Sequence, residues 1–322
     1  MKTMQVNSGK QGTVLIPVEM PQPEAGPDEV LIHVRAAGVI PTELLWSPTT
    51  HTKEGTARTG VVPGHEFSGV VSAEGANVHT FEIGDEVYGM NDWYAEGATA
   101  EFCVTLPQNI AKKPATLTHE AAATVPIAAL TAWQGLFVRA KIRPGERVLV
   151  HGGAGAVGLF VVQLAHLHGA SVIATVSGPD VDFVKQLGAD QVIDYKVTRF
   201  EDRVQDVDVV FDTVGGDTRN RSWSILESGG RMVTIAADSE YETDQRVKDA
   251  FFIVEPDQKQ LVEVAKKIDE GRLKAFVKAI VPLDDASVAY SGALKSNSGH
   301  GKLVIAIPHN GAPLTIHTAG KL

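Results

Sequence analysis

Hydrophobic and polar positions along this chain follow two textures, and they change near Thr118. Before it, short runs rich in β-branched and aromatic residues are broken by Gly and Pro. They predict strands at Glu29–Ala36, Phe67–Ser72, Glu86–Gly89 and Thr99–Val104, the spacing of a small barrel-like β domain. Thr118-His119-Glu120 reads as a helix cap leading into an alanine-rich run. Strands and helices then alternate. The pattern predicts strand Arg147–Gly152, helix Ala156–His168, strand Ser171–Val176, helix Asp182–Leu187, and strands Gln191–Asp194, Val207–Phe211 and Arg231–Ile235. Near-continuous apolar strands alternating with helices imply a doubly wound parallel sheet covered on both faces. A helix over Pro256–Glu270, apolar at Leu261, Val264 and Ile268, precedes a last strand at Lys302–Ile307. That strand lies far from the first domain in sequence yet could return to complete it. No repeat or low-complexity run appears, and the tail from Pro308 carries no readable signal.

With 322 residues the chain suits two domains rather than one core. The expected division is 1–122, completed by 262–322, against 123–261. Hydrophobic residues at 43% and charged residues at 21% describe a globular protein. A net charge of −10 without a basic footprint argues against a nucleic-acid partner. The start shows no signal-like apolar region, and the most apolar stretch, Ala121–Trp133, is too short to span a membrane and contains Pro126. No membrane partner is expected. Cys103 is the only cysteine, which excludes an internal disulfide and a four-cysteine zinc site and fits a reducing cytoplasm.

The strongest chemical signal is Gly153-Ala-Gly155-Ala156-Val157-Gly158, placed between an apolar strand and a helix. In that context a G-x-G-x-x-G run is a dinucleotide fingerprint: Gly153 for the turn, Gly155 for approach of a pyrophosphate, Gly158 for close helix–strand packing. The helix N-terminus, at Ala156 and Val157, would bind the anion. The tip of the next strand, Thr175-Val176-Ser177-Gly178, carries no acid. A carboxylate there would repel a 2′-phosphate, whereas Ser177 can donate a hydrogen bond to one. NADP(H) is therefore the expected cofactor, although Asp180 lies close by and Ser177 could merely end a strand.

With these residues in view, the chain resembles the medium-chain dehydrogenase/reductase superfamily, in its zinc-free quinone oxidoreductase-like branch. The landmarks are Ala37-Gly38-Val39, Pro63-Gly64-His65-Glu66-Phe67-Ser68-Gly69, Gly84-Asp85-Glu86-Val87-Tyr88-Gly89, Ala132-Trp133, Leu187-Gly188-Ala189-Asp190, Val192-Ile193-Asp194-Tyr195 and Gly301-Lys302. The resemblance covers residues 1 to 307. It implies a GroES-like catalytic domain, a Rossmann domain, and a cleft between them for nicotinamide and substrate. The positions matching the zinc ligands of alcohol dehydrogenases hold Ile40, His65 and Ile127, so no metal is expected, because hydrocarbon side chains cannot coordinate zinc.

The resemblance also assigns roles. Thr131 would meet the nicotinamide, and Tyr195 would stack near the adenosine phosphate. Thr213 and Val214 would form the turn under the nicotinamide half, with Ala236 facing it. Phe252, Ile253 and Val254 would offer backbone to the carboxamide, and Lys302 would approach the cofactor. Thr42 and His65 are the catalytic candidates. Each has a plainer reading, Thr42 as turn structure and His65 as a residual hydrogen-bonded histidine, and Trp46 and Trp93 could line a pocket or simply fill core. Without a Lewis acid, hydride transfer is easiest to an acceptor that already spreads negative charge, such as a quinone or enone. The alternatives are a reductase of unactivated carbonyls or alcohols and a non-catalytic NADPH-binding protein. The segment Phe251–Val254 would suit a homodimer contact of the kind the family shows.

Overall fold

The computed structural model describes residues 1–9, 12–292, 294 and 299–308. These form two compact units. One holds Met1–Ile127, Pro256–Gly271 and the described residues from Ala275 onward; the other holds Ala128–Glu255 and Arg272–Lys274.

The first unit opens with an antiparallel pair, β1 (Lys2–Gly9) and β2 (Gly12–Glu19). Sequence reading passed over this pair because its apolar residues are sparse. Met4, Val6 and Leu15 alternate inward while Val14 and Ile16 face out. There follow β3 (Val30–Gly38), β4 (Glu66–Glu74), β5 (Glu86–Met90), β6 (Phe102–Thr105) and β7 (Ile110–Lys112). Inward residues such as Ile32, Val34, Phe67 and Val87 are fully buried.

In the second unit, β8 (Arg147–His151), β9 (Ser171–Val176), β10 (Gln191–Asp194), β11 (Val207–Asp212) and β12 (Leu226–Thr234) form one parallel sheet. Its order is β10-β9-β8-β11-β12. The order reverses at β8, so the carboxyl end of β8 is the switch point where such sheets bind ligands. The 12-residue helix Ala156–Leu167 leaves from that end. Phe251 bridges in parallel to Thr234 at the edge of β12.

The chain then returns to the first unit through β13 (Val277–Pro282), which the sequence did not reveal, and β14 (Lys302–Ala306). As expected, the last strand completes the first sheet: β14 runs antiparallel to β3, with Val304 opposite Gly38 and Ala306 opposite Ala36. The sheet order is β13-β14-β3-β4-β5-β7, with β6 on β3.

Three expectations need correction. The helix predicted at Pro256–Glu270 forms over Gln258–Asp269 and belongs wholly to the first unit, rather than being divided at 261. The hydroxyl of Tyr88 in β5 donates to the Leu261 carbonyl at 2.7 Å, and Leu261, Val264 and Ile268 are buried. Strand β12 begins at Leu226, five residues before the apolar run at Arg231, because Gly229 and Gly230 hide the strand pattern. The apolar stretch read as Ala121–Trp133 lies in a helical run over His119–Arg139, long and apolar enough to cross a bilayer, but 72% of that apolar window is buried within the protein. Its start is capped as expected, Thr118 accepting from the Ala121 N–H. The tail beyond Pro308 lies outside the described residues.

Candidate active site

In the second unit, β8 ends at His151 and the chain turns sharply. Gly152 carries the left-handed backbone, φ 74°, so it makes the turn that the sequence assigned to Gly153. Gly153 is instead packed against β9, where a Cβ would stand 2.9 Å from the Ala174 side chain. Gly155 is exposed with ordinary backbone angles, φ −74° and ψ 166°, and a Cβ there would meet only the Gly152 carbonyl, at 3.2 Å. Gly158 is needed for packing, as expected, since a Cβ would overlap that same carbonyl. The N–H groups of Ala156, Val157 and Gly158 belong to the first helical turn, where backbone donors have no intrahelical partner and the helix dipole favours an anion. An open glycine beside free helix donors is the cradle a pyrophosphate fits.

A buried hydrogen-bond chain fixes this turn, and sequence reading missed it. Ser222 Oγ donates to the Thr218 carbonyl at 2.7 Å, so it accepts from His151 Nε2 at 2.8 Å. Nδ1 is then left as acceptor for the Thr175 hydroxyl at 3.0 Å, an assignment that follows from the network. Burial pushes the His151 pKa down to about 4, which keeps the imidazole neutral, as this pattern requires. The Thr175 carbonyl accepts from Gly153 N–H at 3.0 Å. The only sequence signal was a histidine placed directly before the glycines.

At the end of β11, Asp212 accepts from the N–H groups of Val214 and Gly215 and from the Thr234 hydroxyl, at 3.0, 3.0 and 2.8 Å. Thr213 turns its hydroxyl onto the His151 carbonyl at 2.8 Å, and Val214 is exposed. Ala236 is buried beyond the end of β12, with its N–H on the Thr234 hydroxyl at 3.3 Å. Phe252 donates its N–H to the Thr234 carbonyl at 3.3 Å; Ile253 is exposed and Val254 buried. Thr131 is buried in helix Pro126–Trp133. Tyr195 is exposed just past β10, its N–H on the Val176 carbonyl at 3.1 Å. Ser177 stands at the tip of β9, where its hydroxyl donates to the Asp180 carboxylate at 2.5 Å.

The first unit carries a separate polar cluster. Gly64, at φ 91°, turns the chain so that its own N–H and the following His65 both reach one carboxylate. Glu43 Oε1 accepts from Gly64 N–H at 2.7 Å and from His65 Nδ1 at 2.5 Å. Both side chains are almost wholly buried. Burial opposes charging of His65, but the charge of Glu43 and its hydrogen bond outweigh it and hold the pKa above the ordinary histidine value. Nε2 and Glu43 Oε2 have no hydrogen-bond partner of normal geometry. The Trp93 ring lies 5.4 Å from the imidazole and meets Trp46 edge-on at 5.2 Å. Thr42 is exposed on the turn Pro41–Leu45 that positions Glu43. Glu43 was not anticipated; its signal was an acid next to Thr42.

Beside this pair, Glu66 accepts from Lys302 Nζ through Oε1 and from Ile127 N–H through Oε2 at 3.0 Å. Burial raises the Glu66 pKa above the usual carboxylate range even against the Lys302 charge. The ammonium expected to approach a cofactor is thus turned onto a buried carboxylate.

Residues 26–115 match the alcohol dehydrogenase GroES-like domain, and residues 187–305 match the zinc-binding dehydrogenase domain. A probable zinc-binding oxidoreductase of mitochondria from Arthroderma benhamiae is 32% identical over 307 residues, covering 89% of this chain and 91% of that protein. A chloroplastic NADPH-dependent alkenal/one oxidoreductase of Arabidopsis thaliana is 33% identical over 294 residues, covering 88% and 73%. The quinone oxidoreductase of Coxiella burnetii superposes with a TM-score of 0.83 at 28% identity, covering 96% of this chain and 99% of that one. The chain belongs to the medium-chain dehydrogenase/reductase superfamily, in its quinone oxidoreductase-like branch. It is a nicotinamide-dependent oxidoreductase acting on a small molecule.

The zinc that some relatives are named for does not suit the residues present. Of the three positions that the resemblance matches to zinc ligands, Ile40 and Ile127 carry hydrocarbon side chains, which cannot coordinate zinc, and only His65 could.

Proposed function

We propose that the protein reduces a quinone or an α,β-unsaturated carbonyl without zinc, using a hydride from NAD(P)H and a proton from His65. The observation that carries this reading is the Glu43–His65 pair: a buried imidazole held at Nδ1 by a carboxylate, with its pKa kept above the ordinary histidine value by Glu43 and by the Ala95 backbone. When bound, NAD(P)H supplies the hydride. The open glycine turn and the helix donors at Ala156–Gly158 would hold its pyrophosphate. Addition of a hydride to a conjugated acceptor would leave negative charge on the acceptor oxygen. Within the first unit His65, kept oriented by Glu43, would offer its proton to such an oxygen and be left neutral; an enone's enol would then return to the carbonyl through solvent. Trp46 and Trp93, beside His65, offer flat apolar faces for a planar acceptor.

The Arabidopsis relative is named for NADPH, the coenzyme that Ser177 would favour; in this chain the choice falls to the residues around the tip of β9. The test is coenzyme oxidation with a panel of quinones, enals, enones and saturated ketones. Conjugated acceptors should be turned over and saturated ketones should not. Equal rates on saturated ketones would replace this reading with a general carbonyl reductase.

A further inference from the structure

NADH and NADPH differ by one phosphate on the adenosine ribose, which dinucleotide folds meet at the tip of the second strand, here β9. The strand runs on as Ser177-Gly178-Pro179-Asp180, one tight turn closed by the Asp180 N–H on the Ser177 carbonyl at 2.9 Å. The turn swings Asp180 back beside the tip, where its Oδ2 accepts the Ser177 hydroxyl at 2.5 Å. A second carboxylate flanks the other side. Asp194 ends β10 level with Val176, and its Oδ2 lies so near Gly178 that a Cβ there would stand 2.7 Å away. Val176 to Asp182 contains two acids and no Lys or Arg.

We infer that Asp180 makes this chain selective for NADH, an inference that rests on the dinucleotide reading of the glycine turn. A carboxylate accepts hydrogen bonds from ribose hydroxyls, whereas a 2′-phosphate of nearly two negative charges would be placed between two acids. The Ser177 hydroxyl, expected to serve such a phosphate, already donates to Asp180. Counting along the strand for an acid misses this arrangement, because the turn folds the acid back from three residues beyond the tip. On this inference, that one turn reverses the coenzyme preference expected from Ser177.

The experiment is direct titration of the protein with NADH and NADPH, without acceptor, following nicotinamide fluorescence. NADH should bind at least about tenfold more tightly, near 1.4 kcal/mol. In Asp180→Ser that ratio should fall at least about tenfold, with NADPH gaining affinity. Ser177→Ala, which keeps the carboxylate, should retain the preference for NADH. Equal or tighter binding of NADPH by the unaltered protein, or an unchanged ratio in Asp180→Ser, would overturn the inference. Binding of neither coenzyme would overturn the glycine-turn reading beneath it, so the two failures are distinguishable.

Discussion

Glu43 and His65 share a 2.5 Å hydrogen bond between buried side chains, and the same carboxylate oxygen takes the Gly64 N–H. This fixes the imidazole ring and favours its charged form, the two properties a proton donor needs.

Replacing His65 with Phe should therefore lower kcat by roughly 10²-fold or more, the usual loss of a general acid, with the coenzyme dissociation constant unchanged. For the unaltered protein, kcat/KM should fall as pH rises through the elevated His65 pKa, since the protonated form acts. Glu43→Gln should move that alkaline limb to lower pH. The sign for stability is the same. The stabilisation is complete below the unfolded histidine value of about 6.5 and is lost as pH rises through the higher folded value. A rate profile that does not move in Glu43→Gln would exclude His65 as the donor.

Lys302→Met should destabilise the first unit by about 3–5 kcal/mol, because Glu66 would lose its buried partner and must either stay charged uncompensated or take up a proton, its pKa rising further. Glu66→Gln combined with Lys302→Met should recover much of the loss, since the double replacement removes both charges. Urea unfolding of the three variants measures this directly, and simple additivity would show that the pair is not coupled.

Gly155→Val should abolish coenzyme binding while leaving the apo-protein folded. The backbone at 155 is one any residue adopts, and the new side chain would project over the open turn where the pyrophosphate is to lie. Saturating coenzyme, which at 100 times Kd adds about 2.7 kcal/mol, should raise the Tm of the unaltered protein only. A normal rise in the variant would move the phosphate site elsewhere.

Elemental analysis of the purified protein should find no stoichiometric zinc, and chelators should leave activity unchanged. Ile40 and Ile127 are the reason. One tightly bound zinc per chain would overturn the metal-free mechanism.

The parallel sheet was legible because its strands are buried on both faces, so Val148–Val150 and Val209–Phe211 read as unbroken apolar runs. The β1–β2 pair was not, since half of its residues face water and dilute the pattern. In the candidate site, glycines and His65 stood out because their neighbours in sequence give them meaning. Glu43, Thr175 and Ser222 did not, because their partners lie 22, 24 and 71 residues away and only folding brings them together. Asp180 was in view in the sequence, but its hydrogen bond with Ser177 depends on a turn that spacing alone does not reveal.

Strand β14, which pairs with β3 and carries Lys302, is among the last described segments to leave the ribosome. Until it emerges, β3 has an unsatisfied edge and Glu66 has no counter-charge, whereas the five-stranded parallel sheet is already fully synthesised. The nascent chain should thus pass through a stage with its nucleotide-binding half folded and its other half waiting. That stage is the natural point for chaperone engagement, and a ribosome stalled before residue 302 would display a protease-sensitive amino-terminal half beside a resistant sheet.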